Sequence, residues 1–360
     1  MANIGKLDRI QLKGFKSIRN MDLELRHLNI LLGANGAGKS NFINLFRFMN
    51  KLVQKDLQFF LAQQGGANRF LHFGRKITDA IEIHLLFKSN DYACTLVPDQ
   101  TGGLIFKKEW IGDSDDKFYP RIELAIRGDK ESVLPSSTDP IASQVARYLS
   151  DWQIYHFHDT SETAMAKQSG AIYDNERLRP QAENLAAFLF SIQNTDQYQK
   201  IVQTIQRVAP FFHDFILKPE KTDPDSIRLR WKHCGTDDYF DANAFSDGTL
   251  RFICLTTLLL QPVLPLMILL DEPELGLHPY AMQLLAGMMR SVAHQTQIIA
   301  SSQSVTLANQ FQWQDLIIVE QPENASRFRR LNEDQIKVWL DNYRIGELWE
   351  KNLIGGTPSC

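Results

Sequence analysis

The sequence predicts an α/β fold: a mixed, largely parallel sheet core, an antiparallel β lobe and an inserted α/β lobe. Three observations lead there. The last third alternates strand and helix patterns, as strand Leu266–Leu270, helix Pro279–Val292, strand Gln297–Ala300, a short helix and strand Leu316–Glu320. Such a βαβαβ rhythm builds a parallel sheet. Between residues 80 and 127 come four short alternating runs, Ile81–Phe87, Tyr92–Val97, Leu104–Ile111 and Tyr119–Ile126, separated by turn-rich pieces such as Lys88–Asp91. Their spacing predicts an antiparallel meander. Near the N-terminus a buried-strand pattern, His27–Leu32, enters a glycine-rich loop, and a helical pattern follows through Phe42, Leu45 and Phe48 to about Leu52.

The other elements follow from the same periodicities. Leu7–Phe15 and Met21–Leu25 alternate as strands, Pro140–Trp152 and Leu178–Val208 as helices, with strands near Phe215 and over Ile227–Trp231. No Pro/Gly/Ser linker separates independent domains. The expected organisation is one core assembled from both ends of the chain: residues 1–132 carry its N-terminal part with the β lobe, 133–240 an inserted lobe, and 241–360 its C-terminal part.

Composition bounds the function. A chain of 360 residues fits about two domains, or one large domain with an insertion. The apolar fraction of 44% and charged fraction of 22% exclude disordered and collagen-like classes. A net charge of −3 excludes a polycation and leaves room for a local basic face. The four cysteines, Cys94, Cys234, Cys254 and Cys360, form no CxxC pair, so reduced thiols in a cytoplasmic protein are expected. The N-terminus lacks the apolar core of a signal peptide. The most apolar run, Phe252–Leu270, is broken by Gln261, Pro262 and Pro265. It predicts a buried helix and strand rather than a membrane span.

Gly33-Ala-Asn-Gly-Ala-Gly-Lys-Ser40 matches G-x-x-x-x-G-K-[ST] completely, with a strand before it and a helix after. This is the Walker A pattern, and its chemistry is that of a phosphate cradle. Successive N–H groups form an anion nest, and the helix that follows adds the positive end of its dipole. Gly33, Asn35, Gly36, Ala37, Gly38, Lys39, Ser40 and Asn41 are the expected ATP-binding residues; Lys39 reaches the β- and γ-phosphates and the Ser40 hydroxyl ligates Mg²⁺. Met267-Ile-Leu-Leu-Asp-Glu272 is an apolar strand ending in two carboxylates, the form of a Walker B segment. There Asp271 holds the Mg²⁺ shell and Glu272 polarises the attacking water.

Asp271-Glu-Pro-Glu-Leu-Gly-Leu-His278 resembles the Walker B and D-loop run of ABC-class ATPases. Phe245-Ser-Asp-Gly-Thr249 is similar to their signature motif, and Leu12-Lys-Gly-Phe-Lys-Ser-Ile18 to the first strand of the SMC, RecF and Rad50-like branch. The nearest group in resemblance is the stand-alone ATPases related to the ATPase half of the OLD (overcoming lysogenization defect) family. It covers residues 7–53 and 243–320, and Tyr155-His-Phe-His-Asp159, Asn175-Glu-Arg-Leu-Arg179 and the tail Leu348–Gly356 also look typical of it. The resemblance implies an ABC-type P-loop ATPase that forms an ATP-dependent, head-to-tail homodimer. In it Ser246 and Gly248 contact the γ-phosphate held by the other protomer, and Lys16 approaches the nucleotide. The plainer reading of Ser246 is a helix N-cap.

Two departures from the pattern bear on turnover. The switch position after strand Gln297–Ala300, usually His, is Gln303, whose amide can orient water but cannot shuttle a proton. His278 stands where the D-loop often has Asp. The Q-loop glutamine is open among Gln63, Gln64 and Gln100. His156, His158 and Asp159 read as a structural strand end rather than a metal site. Leu316-Ile-Ile-Val-Glu320 resembles the opening strand of a TOPRIM nuclease, but no Asp-x-Asp follows, so it reads as the last strand of the ATPase sheet.

Two functions compete. One is an ATP-hydrolysing SMC/RecF-like ATPase in DNA repair or anti-phage defence, working with a separately encoded effector protein and with DNA as a candidate partner. The other is a slow-turnover, nucleotide-gated scaffold that regulates an effector without acting on DNA. A transporter engine fits worst, because the signature is not Leu-Ser-Gly-Gly-Gln and the Phe15-Lys-Ser17 strand resembles another branch; no membrane partner is expected.

Overall fold

Alternation at the start of the chain becomes pairing. In a computed structural model that describes residues 5–113, 121–125, 128–340 and 342–357, β1 (Leu7–Phe15) turns back into β2 (Ile18–Glu24) with Leu12 opposite Met21. β3 (Leu28–Leu32) follows, then α1 (Lys39–Val53) and α2 (Leu57–Gln63). The meander is β4 (Ile81–Phe87), β5 (Asn90–Pro98), β6 (Leu104–Asp113) and β7 (Ile122–Ala125). These strands extend the first hairpin into one antiparallel sheet of order β2-β1-β4-β5-β6-β7. The expected run Tyr119–Ile126 is seen as β7; Tyr119, Pro120 and Ile126 lie outside the described residues.

The rest of the chain supplies α3 (Pro140–Ser150), β8 (Trp152–Tyr155), β9 (Gly170–Ala171), α4 (Leu185–Ile192), α5 (Asp196–Val208), β10 (Phe212–Ile216), β11 (Ser226–Ile227), β12 (Arg230–His233) and β13 (Tyr239–Asp241). Then come α6 (Asp247–Leu260), β14 (Met267–Asp271), α7 (Pro279–Val292), β15 (Gln297–Ser302), α8 (Val305–Ala308), β16 (Leu316–Glu320), β17 (Arg327–Arg330), α9 (Glu333–Leu340) and α10 (Ile345–Glu350). The second large sheet has the order β17-β16-β3-β15-β14-β8. β3 runs parallel to both β15 and β16, and all five of its residues are buried, as expected of a strand covered on both faces.

The chain divides into two compact units. One gathers the chain up to Trp152, Leu266–Leu269 and everything from Gln297 onward; the other gathers Gln153–Pro265 and Leu270–Thr296.

In the first unit α1 buries a broad apolar face and leaves Ser40, Asn44, Arg47 and Lys51 along one polar stripe. Phe42 meets Phe46 and Phe328, Phe46 meets Trp152, and Phe48 meets Phe15 and Phe70. Two polar side chains tie strand ends together. Gln297 accepts from Leu7 N (3.1 Å) and donates to Leu7 O (2.8 Å) and Arg26 O (2.9 Å). Asn29 donates to Arg26 O at 2.6 Å and accepts from the Arg330 guanidinium, whose pKa burial pushes down to about 10.

In the second unit Trp231 of β12 is the centre of an aromatic cluster, stacked on Phe245 with centroids 4.6 Å apart and edged by Phe212 and Phe240. The helix expected over Leu178–Val208 starts only at Leu185 and is two helices. Thr195 accepts from Tyr198 N at 3.3 Å and caps α5, so the polar Asn194–Thr195 step ends one helix and starts the next. The helix expected over Pro140–Trp152 stops at Ser150, and Trp152 opens β8 instead. Among the described residues no helix is long and apolar enough to cross a membrane.

Glu109 is a buried carboxyl on β6 with three donors: Tyr92 OH (2.8 Å), Ser132 Oγ (2.5 Å) and Val133 N (3.0 Å). Burial raises its pKa above the ordinary range. A raised native pKa gives stability that is complete below the unfolded value of about 4.3 and is lost as pH rises through the native one. Urea melts should therefore show the wild-type advantage over Glu109→Gln shrinking as pH rises above about 4.3. Glu109→Ala should cost about 2–3 kcal/mol, because the Tyr92 and Ser132 hydroxyls lose their acceptor.

Candidate nucleotide-binding site

The loop between β3 and α1 is built almost entirely from backbone. Its first residue, Gly33, passes so close to β16 that a Cβ there would lie 2.3 Å from Val319 O. Ala34 N donates to Gly356 O at 2.9 Å, and Ala37 N to Ala34 O at 3.2 Å. Gly36 (φ 80°) and Gly38 (φ 111°) take left-handed conformations that favour glycine. Above Gly36 the space is open, with nothing within 4 Å of a built Cβ. Lys39, buried at 5% exposure, folds its ammonium back onto Gly33 O (2.8 Å) and Ala34 O (3.0 Å). A cation thus sits inside a ring of backbone at the start of a helix, with exposed Asn35, Gly36 and Ser40 around it. That donor set fits a polyphosphate.

The far end of the loop is held from two distant segments. Asn41 Nδ2 donates to Ser17 Oγ at 2.7 Å, and Ser326 Oγ donates to the same oxygen at 2.6 Å. Lys16, at φ 49°, occupies the β1–β2 turn; its ammonium lies over the Phe70 ring, 5.0 Å from the centroid. Burial, then Arg47 and Arg69, lower its pKa. The Lys16–Ser17 turn therefore presents a hydroxyl to the phosphate loop while its lysine packs on the aromatic core.

The parallel register of β15 with β3 pairs Ser302 with Leu32. Gln303 accordingly leaves its strand level with Gly33, between Ser302, whose Oγ accepts from Ser304 N at 3.0 Å, and Ser304, whose Oγ caps α8. A pocket of about 230 Å³ lies beside the loop, bounded by Ala34, Asn35, Ala37, Glu320, Gln321 and Gly356. Gln63, Gln64 and Gln100 are exposed, on α2 and on the β5–β6 turn.

The second unit carries the remaining predicted residues. Ser246 is the N-cap of α6: its Oγ accepts from Thr249 N at 3.3 Å. Gly248 is required by packing, since a Cβ there would lie 2.4 Å from Gly276 O. Asp271 ends β14, and Glu272 follows in a left-handed conformation at φ 42°. His158 sits 2.6 Å from Asp271 O through Nε2, which must carry the proton because a carbonyl only accepts. Among the described residues no group of three or more His, Cys, Asp or Glu side chains could hold a metal. His278 caps α7, accepting from Tyr280 N at 3.3 Å.

Four residues that organise these units carried no assigned role in the sequence: Ser326 and Arg251 stood in no motif, and Ser17 and Gly356 stood inside family-like stretches without one. Arg251 stands buried in α6 and donates to Phe157 O (2.9 Å), His158 O (3.0 Å) and Leu275 O. Burial lowers its pKa. The available signal was one charged residue inside the otherwise uncharged stretch Leu250–Leu260.

The profile of a family described as AAA domain, putative AbiEii toxin, Type IV TA system matches residues 28–309. None of the curated proteins matches the chain. Among solved structures, the Smc head bound to the C-winged helix domain of ScpA is similar at a TM-score of 0.61 and 14% identity, covering 92% of this chain and 99% of that one. The Smc head domain with an extended coiled coil bound to the C-terminal domain of ScpA, from Pyrococcus furiosus, is similar at a TM-score of 0.57 and 14% identity, covering 93% and 98%. The fold is that of an SMC head.

Removing Arg251 would strip three carbonyls of their donor. Arg251→Ala should destabilise the chain by about 3 kcal/mol in a urea melt, and hydrogen exchange should rise over residues 157–158 and 272–277.

Proposed function

The chain belongs to the AAA-domain family described as putative AbiEii toxin of type IV toxin–antitoxin systems, a P-loop ATPase of the SMC/ABC-like class, and from that premise we propose that it hydrolyses ATP and dimerises head to tail around it. The observation that carries the proposal is the Gly33–Ser40 loop, with two left-handed glycines and the Lys39 ammonium cradled on Gly33 O and Ala34 O. Phosphate oxygens replace those carbonyls as stronger, charged acceptors for the ammonium, while the loop amides take the remaining oxygens.

The chemical roles follow from motif order. By motif order Ser40 and Asp271 would hold Mg²⁺, which when bound would supply charge neutralisation to the β- and γ-phosphates. Glu272 accepts a proton from the attacking water, and Gln303 orients that water through its amide. Ser246 and Gly248 complete the γ-phosphate site of a second copy. In support, Ser246 is exposed at the start of α6, and apolar Leu275 and Tyr280 are 45% and 46% exposed on the same unit.

DNA repair or anti-phage defence with a separately encoded effector is the role we assign. The similar Smc heads were crystallised with ScpA domains, so binding a partner protein is compatible with the fold. Gln303 favours a second reading, a slow-turnover scaffold in which the bound nucleotide serves as a timer.

Lys39→Ala should weaken ATP binding at least about tenfold in calorimetry with the fold intact; unchanged affinity would overturn the site. Glu272→Gln should slow hydrolysis by about 10²–10⁴-fold and, in light scattering, should become dimeric on adding ATP and Mg²⁺. Ser246→Arg in that background should stay monomeric while still binding ATP. A Glu272→Gln chain that remains monomeric at saturating ATP would sink the dimer.

A further inference from the structure

Ser326 lies just before β17, 309 residues along the chain from Ser17, and no motif marks it. It is 3% exposed. Its backbone N–H donates to Ser17 O at 2.7 Å and its hydroxyl to Ser17 Oγ at 2.6 Å. The two serines fill the space beside the phosphate loop: a Cβ on Gly38 would lie 2.0 Å from Ser326 Oγ and 3.0 Å from Ser17 Oγ.

The hydrogen-bond inventory of Ser17 is informative. A hydroxyl has two lone pairs and one proton. The lone pairs accept from Asn41 Nδ2 and Ser326 Oγ. No acceptor among the described residues takes the proton. Ser17 is only partly buried, and it lies beside Gly38 and Asn41, which flank Lys39 and Ser40.

Backbone strain marks both loops that meet here. Lys16 (φ 49°) precedes Ser17, and Glu323 (φ 51°) and Asn324 (φ 60°) precede Ser326. Left-handed non-glycine residues persist only where the surroundings over-determine them, and they cluster at functional sites.

We propose that Ser326 is a positioning residue of the nucleotide site: by donating to Ser17 it aims the remaining Ser17 proton at the phosphates seated over Gly36–Ser40. The inference rests on the nucleotide reading above. Ser326 touches no ligand itself. Its hydroxyl occupies one Ser17 lone pair and Asn41 the other, so the Ser17 O–H is left a single direction in which to donate.

The test is a double-mutant cycle on the full chain, read as ATP affinity by calorimetry, with melting temperature and steady-state kinetics alongside. Ser17→Ala and Ser326→Ala should each weaken ATP binding about tenfold, the loss expected for a hydrogen bond to a charged group. The double variant should bind no more weakly than Ser17→Ala alone, because Ser326 acts through Ser17. KM should rise while kcat at saturating ATP stays within about twofold, as for an interaction equal in ground and transition states. Wild-type affinity in Ser326→Ala, or losses that multiply in the double variant, would overturn the proposal. If Ser326→Ala lowers the melting temperature too far to assay, Ser17→Ala decides alone, and wild-type affinity there overturns it. Lys39→Ala separates the two levels: if it too leaves ATP affinity unchanged, the nucleotide reading fails; if it abolishes binding while Ser326→Ala does not weaken it, only this inference fails.

Discussion

A phosphate cradle made of backbone amides cannot hold its own shape, and the first unit is arranged around that constraint. Gly33–Ser40 has one long side chain, Lys39, and that chain points back into the loop. Beyond the bonds inside the loop, three distant segments fix it: Val319 O crowds Gly33, Gly356 O accepts from Ala34 N, and the Ser17–Ser326 pair packs against Gly38. The sheet order β16-β3-β15 makes this possible, because two parallel neighbours deliver their C-terminal ends beside the end of β3. The buried, aromatic-packed α1 supplies the other wall. Glycine at 33 and 38 is thus dictated by neighbours as much as by phosphate. The motif is partly a record of packing.

What was legible in the sequence was what is local. The Walker A loop, the Asp271-Glu272 strand end, the Ser246-Asp-Gly248 turn and the antiparallel meander are each written in contiguous residues, and each forms the element expected there. The supports were not legible, because their partners are far apart in sequence. A lone Ser326 carries no signal until folding brings it to Ser17. Gly356 looked typical of a family without showing what it touches. The helix over Leu178–Val208 failed for a different reason: apolar spacing continues across the break, since α4 and α5 both bury a face, and only the cap at Thr195 distinguishes two helices from one. Periodicity reports burial. It does not report where a helix must restart.

In the second unit the residue proposed as a phosphate ligand already has a structural task. Ser246 as an N-cap and Ser246 as a phosphate ligand are not rival descriptions. An exposed capping hydroxyl at a helix start already stands among amides oriented toward an anion. The 2.4 Å approach that a Gly248 Cβ would make to Gly276 O ties the same turn to the loop after Glu272. Arg251 adds a second tie, from α6 to Leu275 O, and a third to the segment whose His158 holds Asp271 O. A displacement of the α6 start therefore moves the Asp271–Gly276 loop with it. Within this unit the signature turn and the carboxylates behave as one body.

The proposed mechanism divides its labour between residue types. A glutamine such as Gln303 can hold a water and a phosphate oxygen but takes no proton, so the proposal leaves base chemistry to Glu272. Glu272 in turn sits at φ 42°, a conformation that costs about 1–3 kcal/mol unless its surroundings enforce it. Arg251 and His158 are among the groups that brace its loop. On the proposed mechanism, turnover depends on how well that brace sets one carboxylate, whereas binding depends on the backbone loop of the other unit. The two properties rest on different residues and can be tuned separately. On that proposal the separation favours the second reading, in which a nucleotide is held while its hydrolysis stays slow.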